Sequence, residues 1–343
     1  MTILSSLKEG GNIFKKPEVR WGVLGTARIA KNWVIPAINN TKHNKVIAVA
    51  SRDLSKAVEF ATPLQIAKAF GDYEDMISDP EIDAVYIPLP NGGHAAWAIK
   101  AMEAGKNVLV EKPFALSADE AQKMVSVSLD KNVVLMEAFM YRYNSRFDKF
   151  IQIVRFGDIG KIRFIESSFT FNLTNPDDIR MRAEQGGGAL YDLGCYCVNF
   201  HRQLANREPS SVHANMYQGS TNVDLQMSCN MEFDEAVHSH FNVSFNAIPQ
   251  QSTRVIGSEG LLEIELPFNP HAAATTAILT KNGEMKTLNF KAENDYEKMV
   301  AHFYELVIRR AIPKFPLSDA INNLIAMQAL LESARNGGLV VKL

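Results

Sequence analysis

The sequence predicts an α/β protein in two parts: an N-terminal Rossmann doubly wound parallel sheet, and a C-terminal α+β domain with a large open, mainly antiparallel sheet. Three observations carry this. Apolar strand-like runs alternate with helical stretches from residue 19 to residue 136, the pattern of βαβ units. A small-residue turn, Gly25-x-Ala27-x-x-Ala30, follows the first run and opens a helix. After Arg142 the apolar period changes to two, as at 223–233 and 237–245, with no long crossover helices between those runs; half-polar strands of this kind build antiparallel sheets. The expected division is an arm at 1–17, a dinucleotide-binding domain at 18–143 and a substrate-binding and oligomerisation domain at 144–343. A C-terminal helix at 317–336 is expected to pack back on the first domain.

Residues 20–25 read as the first strand. Gly25 supplies the tight bend, a small residue at 27 lets the backbone approach a pyrophosphate, and Ala30 lets helix and strand pack closely. The helix start through Thr26, Ala27, Arg28 and Ile29 then offers free N–H groups to phosphates. Ala in place of the second Gly makes the turn suggestive only in context. A second strand, 46–50, ends in Ser51-Arg52-Asp53, where such a domain meets the adenosine ribose. A guanidinium is a good phosphate fork, so NADP(H) is the preferred cofactor and NAD(H) the alternative. Asp53 also reads as the N-cap of a helix starting near Leu54.

The alternation continues with a helix at 55–61, a strand at 68–70, a helical turn at 72–78 and a strand at 84–88. That strand runs into Pro88-Leu89-Pro90-Asn91-Gly92-Gly93-His94. A helix at 95–104 stops at Gly105. The strand 107–110 closes in Glu111-Lys112-Pro113. Ser117 and Glu120 form a capping box for the next helix, and a strand at 133–136 leads into Glu137 and Arg142. Ligands of open α/β sheets bind beyond the carboxyl ends of the strands, so Gly25, Arg52, Asn91, His94, Lys112 and Arg142 gather at one edge. A strand rich in Val and Leu has no local need of a terminal charged pair. Lys112 is therefore a candidate for chemistry, presented by Pro113, which biases it to an extended backbone. The plain alternative is a solvated strand-end lysine. Glu111 reads as a structural hydrogen-bonding group.

In the second half, a helix at 146–156 precedes the alternating runs, and Asn282-Gly283 signals a hairpin. Gly186-Gly187-Gly188 enters a helix on which Asp192 and Tyr196, at i and i+4, share a face. The bland reading is a first-turn acid on the helix dipole and a packing aromatic. His238 and His240 lack a third ligand, so no metal site is expected. Cys195, Cys197 and Cys229 are an odd set, which suits buried thiols in a reducing compartment. A net charge of −2 gives no basic excess for nucleic acid. No apolar run is long enough to span a bilayer, and the first sixteen residues do not have the pattern of a secretory signal. The expected location is the cytoplasm. The semi-polar sheet faces suggest a homodimer or homotetramer.

Taken together, 21–30, 87–91, Glu111-Lys112-Pro113, 136–142 and 186–196 resemble the Gfo/Idh/MocA oxidoreductases, from about Val19 to the end of the chain. Tyr rather than His at 196 is similar to the glucose–fructose oxidoreductase, D-xylose dehydrogenase and dihydrodiol dehydrogenase branch. The resemblance implies an open sheet used in dimerisation and NADP-linked oxidation or reduction of a sugar or related cyclic polyol. It implies that Lys112, Asp192 and Tyr196 surround the reacting carbon. Two departures, Gly92-Gly93-His94 and Asn144-Ser145, flank the pocket.

On this reading Tyr196 is the acid/base. A free Tyr has a pKa of about 10, and Lys112 beside the phenolate is expected to lower it. Asp192 orients the substrate or tunes Lys112. The expected cofactor contacts are Gly25, Thr26, Ala27, Arg28, Ile29, Ser51, Arg52, Pro88, Leu89, Asn91, His94, Glu111, Lys112 and Arg142, with His94 and Arg142 at the nicotinamide end. The expected substrate contacts are Lys112, Asp192, Tyr196 and Arg180. The alternatives are a ketoreductase on a nucleotide-linked keto sugar, whose phosphates Arg180 and Arg182 would meet, and a non-catalytic NADP(H)-binding regulator. The regulator could dispense with Lys112, Asp192 and Tyr196 together.

Overall fold

A computed structural model of the chain describes residues 17–234 and 236–343; all but the last residue of the expected arm lie outside the described residues. Six parallel strands form the first sheet: β1 (Val19–Leu24), β2 (Asn44–Ala50), β3 (Lys68–Phe70), β4 (Ala84–Ile87), β5 (Asn107–Glu111) and β6 (Leu135–Ala138), in the order β3-β2-β1-β4-β5-β6. The order reverses between β1 and β4, which sets the ligand crevice at their carboxyl ends. Helices α1 (Ile35–Asn40), α2 (Leu54–Ala61), α3 (Tyr73–Ser78), α4 (His94–Glu103) and α5 (Ala118–Asp130) connect them. Every residue of β4 is buried, as expected where helices cover both faces and the strand reads as a continuous apolar run. Asp53 caps α2 by accepting from the Ser55 amide at 2.9 Å. Ser117 caps α5 through the Glu120 amide at 3.1 Å. Glu120 reaches back to the Leu116 amide, one residue before the position the capping box assigns it.

The second part comprises α6 (Ser145–Arg155), β7 (Ile162–Asn172), α7 (Cys195–Ala205), β8 (Ser211–Gln218), β9 (Asp224–Phe233), β10 (Val237–Ser244), β11 (Asn246–Gly257), β12 (Gly260–Glu265), β13 (Thr275–Lys281), β14 (Glu284–Phe290), α8 (Asp295–Arg309), α9 (Leu317–Arg335) and β15 (Val341–Lys342). Its nine strands run in the order β14-β13-β12-β11-β7-β10-β9-β8-β15. Only β7 and β10 pair in parallel; the other ladders are antiparallel. Asn282 and Gly283 both have left-handed backbones, φ 53° and 80°, as a two-residue hairpin turn requires. On the open face His240 bonds to Asn230 at 3.1 Å and His238 stacks on Phe164. No acidic, His or Cys cluster able to hold a metal occurs among the described residues. All three cysteines are buried free thiols. No described helix is long and apolar enough to cross a membrane.

Buried apolar side chains of both parts form one continuous cluster. Helix α9 joins them: Gln328 accepts from the Ala118 amide of α5, and Ser333 accepts from the Ala214 amide of β8. At its first turn Asp319 binds Arg142 at 2.5 Å and Arg202 at 3.1 Å. Asn199 and Gln203 donate to the same carboxylate. Arg142 also pairs with Glu137 at 3.3 Å and lies over the rings of Phe139 and Phe315. This corrects the expected place of Arg142 at the nicotinamide end. Successive residues of β6 point to opposite faces, so Ala138 faces the cleft while Glu137, joined by Arg142 from the turn that follows, lines a separate cavity behind it. Burial pushes the Glu137 carboxyl up to about 7, against the pull of Arg142.

Removing Asp319 would leave Arg142 to Glu137 and Arg202 to Glu208, each short of one buried partner, and would take the acceptor from Asn199 and Gln203. Asp319→Ala is expected to cost about 3–5 kcal/mol, read from urea unfolding; a loss under about 1 kcal/mol would show that the network does not hold the seam.

Candidate active site

Two small-residue turns build the site, one from each part of the chain. After β1, Gly25 takes φ +96°. Its amide bonds to the Ala50 carbonyl, and a side chain there would press on Leu89. The following helix opens with a wide turn in which the Ile35 amide reaches back five residues to Ala30. The second turn is Gly186-Gly187-Gly188, with φ +73° at 186 and +117° at 188. A Cβ at 187 would strike the Arg180 carbonyl, and one at 188 the Asp224 carboxylate. These glycines let the 180–188 segment fold back on its own carbonyls and lie close to Leu116, Asn91 and the Asp224 carboxylate. That helix also opens wide, the Cys195 amide reaching Leu190. Wide turns of this type often mark functional sites. The expected simple i, i+4 register is corrected: Asp192 lies in the wide turn and Tyr196 in the first turn of α7, yet both line the cleft. Asp224 accepts from the Leu190 amide at 2.7 Å and so caps this segment. Burial pushes its carboxyl up to about 7.

The cleft between the two parts has a volume of about 740 Å³, within the range of cofactor and small-ligand sites. Ala27, Arg28, Ile29, Pro88 and Leu89 line it from the first sheet's edge, together with Glu111 and Lys112. At its centre Lys112 Nζ lies 2.7 Å from Asp192 Oδ1 and donates to the Asp192 carbonyl at 2.9 Å. Arg180 Nε lies 2.6 Å from Asp192 Oδ2. Burial opposes ionisation of Asp192, but Lys112 and Arg180 hold its carboxyl down at about 2. Burial likewise opposes the charge on Lys112, and Asp192 outweighs it, so the ammonium is held above its ordinary range.

Tyr196 is buried among Phe139, Phe169 and Phe268, with its hydroxyl 3.7 Å from Met140 Sδ. Lys112 Nζ sits 5.2 Å from the centre of its ring. Burial pushes the phenol well above 10. The expectation that Lys112 lowers it is therefore corrected: the ammonium binds the carboxylate, the stronger charge-assisted acceptor, and lies over the ring instead of beside the hydroxyl.

The remaining sequence-selected residues separate into groups. Glu111 accepts from the buried Tyr86 hydroxyl at 2.5 Å and from the Lys112 amide at 3.2 Å. The ring nitrogens of His94 lie 2.8 Å from the Pro113 and Leu89 carbonyls, so His94 ties two cleft loops together and presents no free nitrogen. Asn91 bonds to the Gly186 carbonyl. Gly25, Thr26, Ser51 and Arg52 sit at the ends of β1 and β2, outside the lining of the main cleft. Arg52 is exposed and interacts with the Tyr73 hydroxyl.

Several cleft residues escaped the sequence reading: Met140, Phe169, Asp178, Gln251, His271 and Tyr296. Only Asp178 carried a local signal, an acid two residues before Arg180; Tyr296 arrives on α8, more than 150 residues after Lys112 in the chain.

Residues 19–139 match an oxidoreductase family with an NAD-binding Rossmann fold, and residues 147–263 match the GFO/IDH/MocA C-terminal domain. The chain is 36% identical to D-xylose 1-dehydrogenase (NADP(+)) 2 of Haloferax volcanii, over 93% of this chain and 98% of that protein. It is 34% identical to the trans-1,2-dihydrobenzene-1,2-diol dehydrogenase of Xenopus laevis, over 71% of this chain and 74% of that one. Among solved structures it resembles a 3-ketoreductase of Actinomadura kijaniata in complex with NADP and TDP-benzene, with a TM-score of 0.85, 26% identity and coverage of 93% and 98%.

Two outcomes follow from these charges. Tyr196 stays a phenol beyond pH 10, so ultraviolet titrations of wild type and Tyr196→Phe should coincide up to that pH. A tyrosinate forming near neutrality in wild type alone would reverse the correction. Burial pushes the Asp224 carboxyl up from its ordinary 3.8 to about 7, so the native state is expected to hold the extra proton and stability to fall as pH rises through that window. Between pH 5 and pH 8 wild type should lose more stability to urea than Asp224→Asn; equal losses would place the carboxyl elsewhere.

Proposed function

Because this chain belongs to the GFO/IDH/MocA oxidoreductases, we propose that it moves a hydride between NADP(H) and a carbinol or carbonyl carbon of a sugar, a pyranose such as xylose or glucose, or a related cyclic polyol. The observation that carries the proposal is the charged Lys112–Asp192–Arg180 group set beside the buried phenol of Tyr196. Residues 18–143 hold the cofactor, residues 144–343 serve substrate and assembly, and the open face of the nine-stranded sheet joins copies of the chain.

A nicotinamide cofactor held by the Gly25 turn and residues 27–29 would accept or supply the hydride. Lys112 and Tyr196 are both hydrogen-bond donors at neutral pH and polarise the reacting oxygen. Tyr196 gives its proton to that oxygen in reduction and is reprotonated from solvent. Oxidation runs the same steps in reverse: Tyr196 first loses its proton to solvent and then, as tyrosinate, takes the proton of the carbinol hydroxyl. Asp192, held ionised at neutral pH by Lys112 and Arg180, accepts from a neighbouring hydroxyl and fixes the ring. Acid–base assistance of this kind is typically worth about 100- to 10,000-fold.

The Gly25 turn and the adjoining helix start would hold the pyrophosphate, and the left-handed backbone of Gly25 supports that fit. Asp53 is occupied as a helix cap, which leaves the exposed Arg52 for a 2′-phosphate and supports NADP over NAD. The Haloferax relative is named for NADP(+) and xylose. Reduction of a nucleotide-linked keto sugar is a second reading, favoured by the likeness to the 3-ketoreductase. Arg180, engaged by Asp178 and Asp192, is a poor free phosphate site and tips the balance towards an unphosphorylated sugar.

A screen of NADP+ reduction against pentoses, hexoses and dihydrodiols is expected to find its best substrate among the sugars. Lys112→Met and Tyr196→Phe should each lower kcat by about 100-fold or more; near-normal turnover in both would end the assignment. Arg52→Ala should weaken NADP about 10- to 100-fold, the worth of a charge-assisted contact, with NAD scarcely affected. Equal losses for the two cofactors would remove the 2′-phosphate role.

A further inference from the structure

Lys112 stands at one end of a ladder of alternating charges that crosses the cleft. Asp192 bridges Lys112 and Arg180. Asp178 Oδ1 takes the Arg180 guanidinium at 3.3 Å and the Arg180 amide at 3.0 Å. Asp178 Oδ2 lies 3.8 Å from Arg28 Nη2. Arg28 belongs to the turn assigned to the cofactor pyrophosphate, so this inference rests on the cofactor reading above. The two ends of the ladder differ in freedom. The Asp178 side chain is 7% exposed and that of Arg28 is 86% exposed, so Arg28 is the partner that moves.

We propose that Asp178 is a positioning residue that couples cofactor occupancy to the substrate-binding carboxylate. Arg28 leaves Asp178 for the pyrophosphate when the cofactor binds. Asp178, left with one cation, draws Arg180 towards itself. Arg180 then loosens its hold on Asp192 Oδ2, and that oxygen turns to a substrate hydroxyl. Before the cofactor arrives both Asp192 oxygens are engaged by cations, which makes the cofactor the first ligand to bind. No bond is made or broken; the groups exchange partners.

Fluorescence titration of NADPH into the full chain, without sugar, tests the exchange. Arg28→Gln should weaken binding. Asp178→Asn should tighten it about two- to five-fold, the worth of a solvent-accessible ion pair, and should have no effect once Arg28 is already Gln. Weaker binding in Asp178→Asn would mark a merely structural loop residue. Tightening that persists in the double variant would mark simple charge repulsion. Either result overturns the proposal. Initial rates with D-xylose and D-glucose at saturating NADP+ test the transmission: Asp178→Asn should raise KM more than it lowers kcat, and Asp178→Glu should restore KM. An unchanged KM in Asp178→Asn overturns the link to Asp192. If the titrations run as expected and neither sugar reacts, the substrate reading fails and the exchange between Arg28 and Asp178 stands.

Discussion

The Lys112–Asp192 ion pair is the constraint on which the rest of the site depends. A buried lysine is costly unless a carboxylate answers it. Here the lysine comes from the end of β5 and the carboxylate from a turn eighty residues later. The pair can form only where the two sheets meet, so the cleft and the domain seam are one feature. The glycine run serves the same end. It removes the side chains that would strike the Arg180 and Arg182 carbonyls, Leu116 and the Asp224 carboxylate as the chain enters the turn carrying Asp192.

Burial divides the labour inside the cleft. Asp192 keeps its charge because two cations outweigh its desolvation. Tyr196, a short distance away, receives no such help at its hydroxyl and keeps its proton. One environment thus yields a resting acceptor, Asp192, and a resting donor, Tyr196, side by side. Polarising a carbonyl while orienting the neighbouring hydroxyl asks for these two groups.

A second ionic network holds the frame. Asp319 gathers Arg142 and Arg202 at the start of α9, behind β6 and away from the cleft. Its groups are too deeply buried to meet a substrate, and their mutual engagement fixes α9 against both parts of the chain. Charge in this protein therefore has two uses, one rigid and structural, the other open to ligands.

Much of the architecture was legible in the sequence, because local rules govern it. Period-two and period-3.6 patterns marked most elements, small residues marked the two working turns, and Asp53 and Ser117 marked helix starts. The lysine stood out because a strand rich in Val and Leu has no local need of a charged pair at its end. What the sequence by itself determined was the two-part α/β plan, the crevice at the strand ends, and the types of residue that meet there. Tertiary structure alone decided which charges pair. It sent Arg142 to Asp319, turned Lys112 from the phenol to the carboxylate, tied His94 to two carbonyls and brought Asp178 between two arginines. The reason is physical: periodicity depends on neighbours a few residues away, whereas ion pairing and desolvation depend on distance and burial in space.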